Sequence, residues 1–265
     1  MHQTSYDKVE RFVEVYLGPF RAEPLAVLDF GSQQVTPNAL THRSLFDQLP
    51  WTYTGLDMVA GLNVDIAVAD PYDWTEVEDD QYDLVVSGQV LEHVEQFWVS
   101  VFEIGRVMRP GGIAVIVVPS TGPQHRYPVD CWRFYTDGMA AIASWVEFDV
   151  LDTYTDWGRG HWQDSVVVMR KPMWDEAGRE RFRQRGWHQR SARSPDTPPP
   201  GPLTESKPSV LADIEGGRLA SILAADCKAD PTPQADWSVK ARCREVAKQL
   251  AGARGAAWYR SKSST

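Results

Sequence analysis

The sequence predicts an α/β protein with an open, doubly wound, mostly parallel sheet of seven strands. Strand-like and helix-like segments alternate from residue 5 to about residue 172, which is the pattern of parallel strands joined by crossover helices. The run at 113–119 (IAVIVVP) is almost entirely apolar, as burial on both faces of a sheet requires. Ligands bind such sheets outside the carboxyl ends of the strands, so we expect the functional residues there.

Each element is predicted from its local pattern. Apolar residues between Val9 and Leu17 have the i, i+3, i+4, i+7 spacing of an opening helix, which ends at Gly18-Pro19. Short apolar runs bounded by turn residues predict strands at 25–30, 53–58, 64–69, 82–87, 113–119, 146–154 and 165–169. Helices are predicted at 39–48, 94–108 and 140–145, and Arg109-Pro110-Gly111-Gly112 separates the second of these from the next strand.

The character of the chain changes after residue 172. We expect a main domain at 1–172 and a basic helical extension at 173–194, rich in Trp and Arg. A linker at 195–209 contains six prolines and is predicted to be extended. Residues 210–265 are predicted to form a small helical tail, with helices at 210–225 and 238–259.

Charge is distributed unevenly along the chain. Residues 1–169 hold nine Lys and Arg against 25 Asp and Glu, a net charge of −16, whereas residues 170–265 carry +7. Nucleic-acid binding depends first on Lys and Arg that neutralise phosphates, so the acidic part disfavours a nucleic-acid partner. We interpret the basic run as a strap on the acidic domain or a solvated helix face, with an RNA-binding arm as the alternative. Its members are Arg179, Arg181, Arg183, Arg185, Arg190 and Arg193.

The composition is typical of a globular protein. The chain has 265 residues, 43% of them hydrophobic, which is enough for one sizeable core. Its longest apolar runs are far shorter than the roughly 20 residues of a membrane span, and its start is polar, so we expect a cytoplasmic protein with no membrane partner. Three cysteines without metal-ligand spacing indicate neither a disulfide framework nor a structural zinc site.

Five segments in a fixed order carry the strongest functional signal. They are VLDFGS at 27–32, YTGLD at 53–57, VAD at 68–70, YDLVVSGQVLEHV at 82–94 and VMRPGGIAVIVVPS at 107–120. In order and spacing, the sequence resembles the class I S-adenosylmethionine-dependent methyltransferases, in particular the group whose fourth strand runs into a VLEHV segment. The resemblance implies a Rossmann-like methyltransferase fold, S-adenosylmethionine as cofactor and a small-molecule acceptor.

The resemblance also implies where the cofactor binds. Gly31 permits close approach of the backbone, and Asp29 meets the methionine ammonium group directly or through water. Asp57 suits the ribose hydroxyls, as an acid does in dinucleotide sites, and Asp70 accepts from the adenine amino group. The expected cofactor set is Asp29, Gly31, Ser32, Asp57, Met58, Asp70, Pro71, Ser87, Gly88, Gln89 and Leu91.

One position departs from the family pattern. The family usually has a second glycine two positions after Gly31, and this chain has Gln33 there. The departure keeps open a non-catalytic member of the fold. A dinucleotide dehydrogenase is disfavoured, because GSQQVT lacks the GxGxxG pattern that places helix amides on a pyrophosphate.

Two histidines are placed for chemistry on the acceptor. Methyl transfer needs a base only where the nucleophile must lose a proton. His93 follows the fourth strand, where a histidine acts as base in some small-molecule members of the family, and His125 lies in the loop after the fifth strand. The alternative for His93 is a helix-start residue that holds a carbonyl group or Glu92.

The loop that contains His125 predicts a polyhydroxylated acceptor. Aromatic faces beside a carboxylate and a guanidinium suit a sugar ring, so we expect O-methylation of a sugar, a glycan or a glycosylated natural product. Family members with similar loops occur in glycan and secondary-metabolite pathways. The alternative is that the aromatic rings pack the loop and that its Asp and Arg form an internal ion pair. The expected acceptor residues are Tyr127, Asp130, Trp132 and Arg133.

The sequence does not predict a metal site. Some relatives bind Mg²⁺ through a Glu-x-x-Glu-His segment, but Gln89 replaces the first Glu here, which weakens a site for a hard cation. Three functions from different classes remain, and the first is favoured: a small-molecule or sugar O-methyltransferase, an RNA-modifying methyltransferase that uses the basic segment, and a non-catalytic scaffold. The oligomeric state is not predicted.

Overall fold

Seven strands form one sheet in the order β3-β2-β1-β4-β5-β7-β6. In the computed structural model, which describes residues 2–48, 50–158 and 162–193, β7 runs antiparallel to β5 and β6, and the other neighbouring strands are parallel. The predicted doubly wound, mostly parallel sheet is confirmed. The strands are β1 (Ala26–Phe30), β2 (Thr52–Asp57), β3 (Ile66–Ala67), β4 (Tyr82–Gly88), β5 (Met108–Pro119), β6 (Asp149–Thr155) and β7 (Asp164–Arg170).

Helices cover both faces of the sheet. The first, α1 (Gln3–Phe12), continues as a π-helix (Val13–Leu17) and a 3₁₀ helix (Gly18–Phe20). A second 3₁₀ helix (Leu91–His93) follows β4 directly. The remaining helices are α2 (Arg43–Phe46), α3 (Phe97–Val107), α4 (Thr136–Trp145) and α5 (Glu176–Ser191).

Alternating side chains of the central strands enter two separate hydrophobic cores. In β1, Val27 packs with α1, whereas Leu28 packs on the opposite face with α3 and α4. The same alternation holds in β5, where Val115 lies in the first core and Ile116 in the second. Because both faces are covered, β5 is apolar at every position from Ile113 to Val118, which explains why the sequence signal was continuous there.

Several predicted elements have different bounds in the structure, and the strand predicted at 64–69, for example, shrinks to the two residues of β3 (Ile66–Ala67). The helix predicted at 39–48 shrinks to the four residues of α2, and its predicted start is occupied by a turn in which Asn38 has φ of 63° and the amide of Ala39 donates to the carbonyl of Thr36. The break predicted at 109–112 lies inside β5, where a register shift between Tyr82 and Leu84 accommodates the extra residues. The amides of Gly111 and Lys171 bond across that irregularity to Lys171 and Gly112.

The basic helix α5 lies on the acidic domain. Phe182 anchors it against Phe102 and Phe148. Five of the six arginines in the basic run pair with carboxylates: Arg179 with Glu176, Arg183 with Asp79, Arg185 with Glu147, Arg190 with Glu103, and Arg193 with Asp70. Four of these pairs join the basic run to acids of the main domain, as a strap would, whereas Arg179 pairs with Glu176 within α5.

The predicted linker at 195–209 and the predicted tail at 210–265 lie outside the described residues. Within the part of the chain that the structure describes, no helix is both long enough and apolar enough to cross a membrane.

Candidate functional site

The site lies at the carboxyl ends of β1 and β4, where the strand order reverses. A switch point of this kind leaves a crevice for a ligand. Gly31 begins the loop after β1 with φ of 83°, and a Cβ atom there would overlap the side chain of Val90. Only glycine fits this turn. The amides of Gly31 and Ser32 both donate to the carbonyl of Leu56, at 2.8 and 3.1 Å, which ties the loop to β2.

Asp57 ends β2 beside this loop. Its carboxylate accepts the amide of Gln33 at 3.0 Å and the amide of Met58 at 2.7 Å. Burial raises the pKa of Asp57, and these backbone hydrogen bonds oppose the rise. Gln33, which stands where the family has glycine, therefore contributes its backbone to orienting Asp57, while its side chain lies against Gly61.

Asp29 is buried and both of its carboxylate oxygens are engaged. One oxygen lies 3.0 Å from Nδ1 of His42, and the other accepts the hydroxyl of Tyr53 at 2.6 Å. Burial and the neighbouring Asp29 raise the pKa of Tyr53, so its hydroxyl remains a donor. Asp29 is expected to meet the ligand's ammonium group directly or through water. Because both of its oxygens already have partners, contact through water fits this geometry better.

His42 was not predicted as a site residue. Its Nε2 is buried and has no hydrogen-bond partner among the described residues, and the same is true of the hydroxyl of Ser5 on α1. A Cβ atom on Gly88 would lie 2.9 Å from Cε1 of His42 and 2.8 Å from Oγ of Ser5. Two polar groups therefore face the end of β4. No sequence motif marks Ser5 or His42, because only the fold brings these two residues to the end of β4.

The end of β4 also connects to α1 and β7. Ser87 is buried and its hydroxyl has no partner among the described residues. Gln89 has φ of 62° and donates to Asp164 at 3.1 Å, and Lys8 pairs with Asp164 at 3.1 Å. Lys8 also pairs with Asp156 at 2.9 Å. These contacts hold the opening helix over the strand ends.

Asp70 lies beyond β3 and is paired with the strap. Its carboxylate accepts the amide of Tyr72 at 2.8 Å and binds Arg193 at 2.9 Å. The guanidinium group of Arg193 also lies 3.9 Å from the centre of the Tyr72 ring. Pro71 and the fully buried Leu91 are the apolar residues expected nearby. Asp70, the residue predicted to contact adenine, is thus already ion-paired with Arg193, the last residue that the structure describes.

The two predicted catalytic histidines lie together, next to Glu92. The rings of His93 and His125 are edge to face, with centroids 4.9 Å apart. Glu92 is fully buried, and this burial raises its pKa to about 8, whereas burial lowers the pKa of His93. His2 stacks on Trp162 at 4.0 Å, and Trp162 lies edge-on to His125 at 4.9 Å, so aromatic rings close one side of this group.

The predicted acceptor residues differ in their surroundings. Asp130 pairs with Arg133 at 2.6 Å, and the hydrogen bonds from Arg133 lower the pKa of Asp130 although burial raises it. Trp132 donates its indole N–H to the carbonyls of residues 94 and 95. These three residues hold the loop together, which is the alternative that the sequence left open. Tyr127 is 59% exposed and lies edge-on to His93, so it remains available for contact.

Comparison with known proteins identifies a family match within the described chain. Residues 38–116 match the family model described as "Methyltransferase domain". No protein of curated function matches the chain in sequence. The matched range begins after the glycine loop and ends within β5, so it includes the ends of β2, β3 and β4.

Two solved structures share the fold. One is the 1,6-didemethyltoxoflavin-N1-methyltransferase of Burkholderia thailandensis, solved with 1,6-didemethyltoxoflavin and S-adenosylhomocysteine, with 18% identity and a TM-score of 0.50 over 64% of this chain and 79% of that one. The other is the CurJ carbon methyltransferase, with 15% identity and a TM-score of 0.50 over 64% of this chain and 55% of that one. The predicted resemblance to class I methyltransferases is confirmed at the level of the fold.

Proposed function

We propose, from the premise that this chain carries a methyltransferase domain on the class I fold, that it transfers a methyl group from S-adenosylmethionine to a small-molecule acceptor. The proposed acceptor group is a hydroxyl of a sugar, a glycan or a glycosylated natural product. The observation that carries the proposal is the set of polar groups and glycines gathered at the switch point between β1 and β4.

The residues present fit the cofactor. Gly31 and Gly88 provide backbone without side chains, and a Cβ atom at either position would strike a neighbouring residue. The hydroxyls of Ser5 and Ser87 and Nε2 of His42 are buried and have no hydrogen-bond partner among the described residues, as expected of groups that meet a ligand. The neighbour from Burkholderia thailandensis was solved with S-adenosylhomocysteine, which supports the same choice of ligand.

Each segment has a proposed part in holding the cofactor. We assign the ribose hydroxyls to Asp57, whose carboxylate is oriented by two backbone amides. The methionine part is assigned to Gly31, Ser32 and the Asp29–His42 pair, with Ser87, Gly88 and Gln89 below the sulfur. The adenine is assigned to Asp70, with Pro71 and Leu91 as apolar walls and Met58 at the rim.

When bound, S-adenosylmethionine supplies an activated methyl group on a sulfonium, and the protein must bring the acceptor oxygen into line with it. A hydroxyl is a weak nucleophile until its proton leaves. His93 and His125 are the groups proposed to act at that hydroxyl. Nδ1 of His93 lies 2.6 Å from the carbonyl of Val129, so it carries the ring proton and Nε2 keeps its lone pair.

The choice of a sugar-like acceptor rests on the loop that holds His125. Tyr127 offers an exposed aromatic face beside His93, and the Asp130–Arg133 pair and Trp132 are proposed to border the acceptor while they hold the loop. The neighbours include an N-methyltransferase and a carbon methyltransferase, so oxygen as the methylated atom is part of this proposal. Because five arginines of the basic run pair with the protein's own carboxylates, we do not extend it to RNA.

The test is calorimetric titration of the full chain with S-adenosylmethionine and S-adenosylhomocysteine. We expect binding by the wild type and loss of most affinity in Asp57→Ala. Asp149→Ala is the matched control, since Asp149 is an exposed carboxylate paired with Arg170 on β6 and β7. Absence of binding to both ligands would refute the proposal, and equal affinities of the two variants would refute the role of Asp57.

A further inference from the structure

Glu92, His93 and His125 form a cluster of potential metal ligands outside the residues assigned to the cofactor. One ligand atom from each residue lies within 4.8 Å of the others. Nε2 of His93 is 3.6 Å from Oε1 of Glu92. Two ligands of a tetrahedral ion with bonds near 2.1 Å lie about 3.4 Å apart, so this pair already has the required separation. The longest separation in the cluster is at most 4.8 Å, so it must shorten by up to about 1.4 Å for an ion to bind.

Both imidazoles are oriented as metal ligands are. Nδ1 of His93 faces the carbonyl of Val129 at 2.6 Å, and Nδ1 of His125 faces the carbonyl of Pro123 at 3.3 Å. A metal-bound histidine commonly donates its other ring N–H to a carbonyl or carboxylate, which fixes the tautomer and leaves one lone pair for the ion. The loop that supplies both carbonyls is fastened to the 3₁₀ helix, since the amide of Cys131 donates to the carbonyl of Glu92 at 2.7 Å.

The buried, unbonded carboxylate of Glu92 also indicates a ligand. Its side chain has no solvent exposure, and neither carboxylate oxygen has a hydrogen-bond partner among the described residues. A buried carboxylate without a partner is costly, and native proteins pair such groups or let them coordinate metals. Arg133, the nearby cation, is engaged by Asp130 at 2.6 and 2.9 Å. A cation between Glu92 and the two imidazoles would satisfy both oxygens and both lone pairs.

We propose that Glu92, His93 and His125 bind a divalent transition-metal ion of the zinc type. Two imidazole nitrogens and one carboxylate favour Zn²⁺ and its neighbours in the first transition series over Mg²⁺, which prefers oxygen ligands. Gln89 does not supply the additional carboxylate that Mg²⁺ would need, because its amide group faces Asp164. Three protein ligands leave at least one coordination position open, as in catalytic zinc sites.

The open position gives the site a role in acceptor choice, and this step rests on the proposed function. With the ion bound, the lone pair of His93 is no longer free to take the acceptor's proton, so the ion would take over that role by polarising the hydroxyl. Tyr127 flanks His93, so an acceptor stacked on that ring would bring its oxygens towards the ion. Two adjacent hydroxyls of a sugar would bind such an ion through both oxygens if it becomes five-coordinate, as zinc can. We therefore expect a vicinal diol to be preferred over an acceptor with a single hydroxyl.

The experiment is titration of the metal-free full chain with Co²⁺, followed by visible absorption, and then displacement by Zn²⁺. We expect one saturable equivalent of Co²⁺ with ligand-field bands, and displacement by Zn²⁺ but not by the same concentration of Mg²⁺. His125→Ala should weaken Co²⁺ binding by more than about 100-fold, the upper range for loss of a supporting group alone. Glu92→Gln should also weaken it. The matched control is His188→Ala, because His188 is an exposed histidine on α5.

Three results would overturn the proposal: no saturable Co²⁺ binding by the wild type, unchanged binding by folded His125→Ala, or displacement by Mg²⁺ as effective as by Zn²⁺. Circular dichroism checks that each variant folds. If the buried substitution Glu92→Gln fails to fold, His125→Ala still decides the question, since His125 is partly exposed. Calorimetry with S-adenosylmethionine on the same samples separates the two proposals, because metal binding without cofactor binding refutes only the proposed function.

Discussion

Replacing Tyr53 by Phe tests whether the buried Asp29 is held as a charged hydrogen-bond acceptor. The substitution removes the hydroxyl that donates to Asp29 at 2.6 Å and accepts from Asn63 at 3.0 Å. Asn63 keeps a second partner, the carbonyl of Ser32, so the main loss falls on Asp29. The ring remains, and with it the contact of Arg43 with its face at 4.4 Å.

The expected cost follows from the charge and burial of the acceptor. A hydrogen bond to a charged group contributes about 1.5–3 kcal/mol, and Asp29 has only His42 as its other side-chain partner among the described residues. We expect the free energy of unfolding to fall by about 2 kcal/mol, which lowers the Tm of a domain of this size by about 4–8 °C. Thermal and urea unfolding of the full chain measure both quantities.

Tyr6→Phe is the matched control for this experiment. The hydroxyl of Tyr6 bonds to Ser44 at 3.0 Å at an exposed position, so its loss should cost less than about 1 kcal/mol. Equal destabilisation by the two variants would refute the reasoning, because it would mean that Asp29 does not depend on Tyr53 as a donor to a buried charge.

Three further substitutions probe the strand ends and the strap. Gly88→Ala should reduce binding of S-adenosylmethionine by more than about tenfold in calorimetry, because the added methyl group meets His42, and retained affinity would contradict the crowding seen there. Arg193→Ala should raise cofactor affinity by up to about fivefold, since it frees Asp70 from a partly exposed ion pair, and lower affinity would mean that Arg193 itself contacts the cofactor. Glu103→Ala should lower the free energy of unfolding by about 3–5 kcal/mol in urea, because it leaves Arg106 without its buried carboxylate, and a loss below about 1 kcal/mol would contradict this pairing.

The sequence predicted the strands and their polar ends because those features are local. Burial on both faces makes a strand such as β5 continuously apolar, and a residue such as Asp57 stands next to its strand in the chain. The register of the sheet then places Asp29 opposite Gly55 and Val86, so the carboxyl ends meet without further information.

Residues brought in by other elements were not predictable in the same way. His42 lies within a predicted helix that was too long; in the structure it directly precedes α2, outside any helix, and contacts Asp29. Lys8 reaches Asp164 across more than 150 residues of chain. Such pairings leave no periodicity or spacing in the sequence. The burial of Glu92 is of this kind too, since it depends on the loop that contains His125 folding back over the 3₁₀ helix.

The carboxylates at the strand ends differ in what already satisfies them. Asp29 and Asp70 are each paired with a basic side chain or ring, and Asp164 with Lys8, so a ligand that meets these acids shares them with a basic partner. Asp57 is held by backbone amides alone, which orient a carboxylate without neutralising it. Neither carboxylate oxygen of Glu92 has a hydrogen-bond partner among the described residues, and Nε2 of His93 lies 3.6 Å from one of them.

Asp57 and Glu92 differ in the charge of the ligand that each can bind. Asp57 keeps its capacity to accept hydrogen bonds from neutral hydroxyls, which is what a ribose offers. Glu92, dry and facing two imidazoles, calls for a cation instead. Asp57 therefore marks a site for a neutral ligand at the end of β2, and Glu92 marks a site for a cation on the 3₁₀ helix after β4.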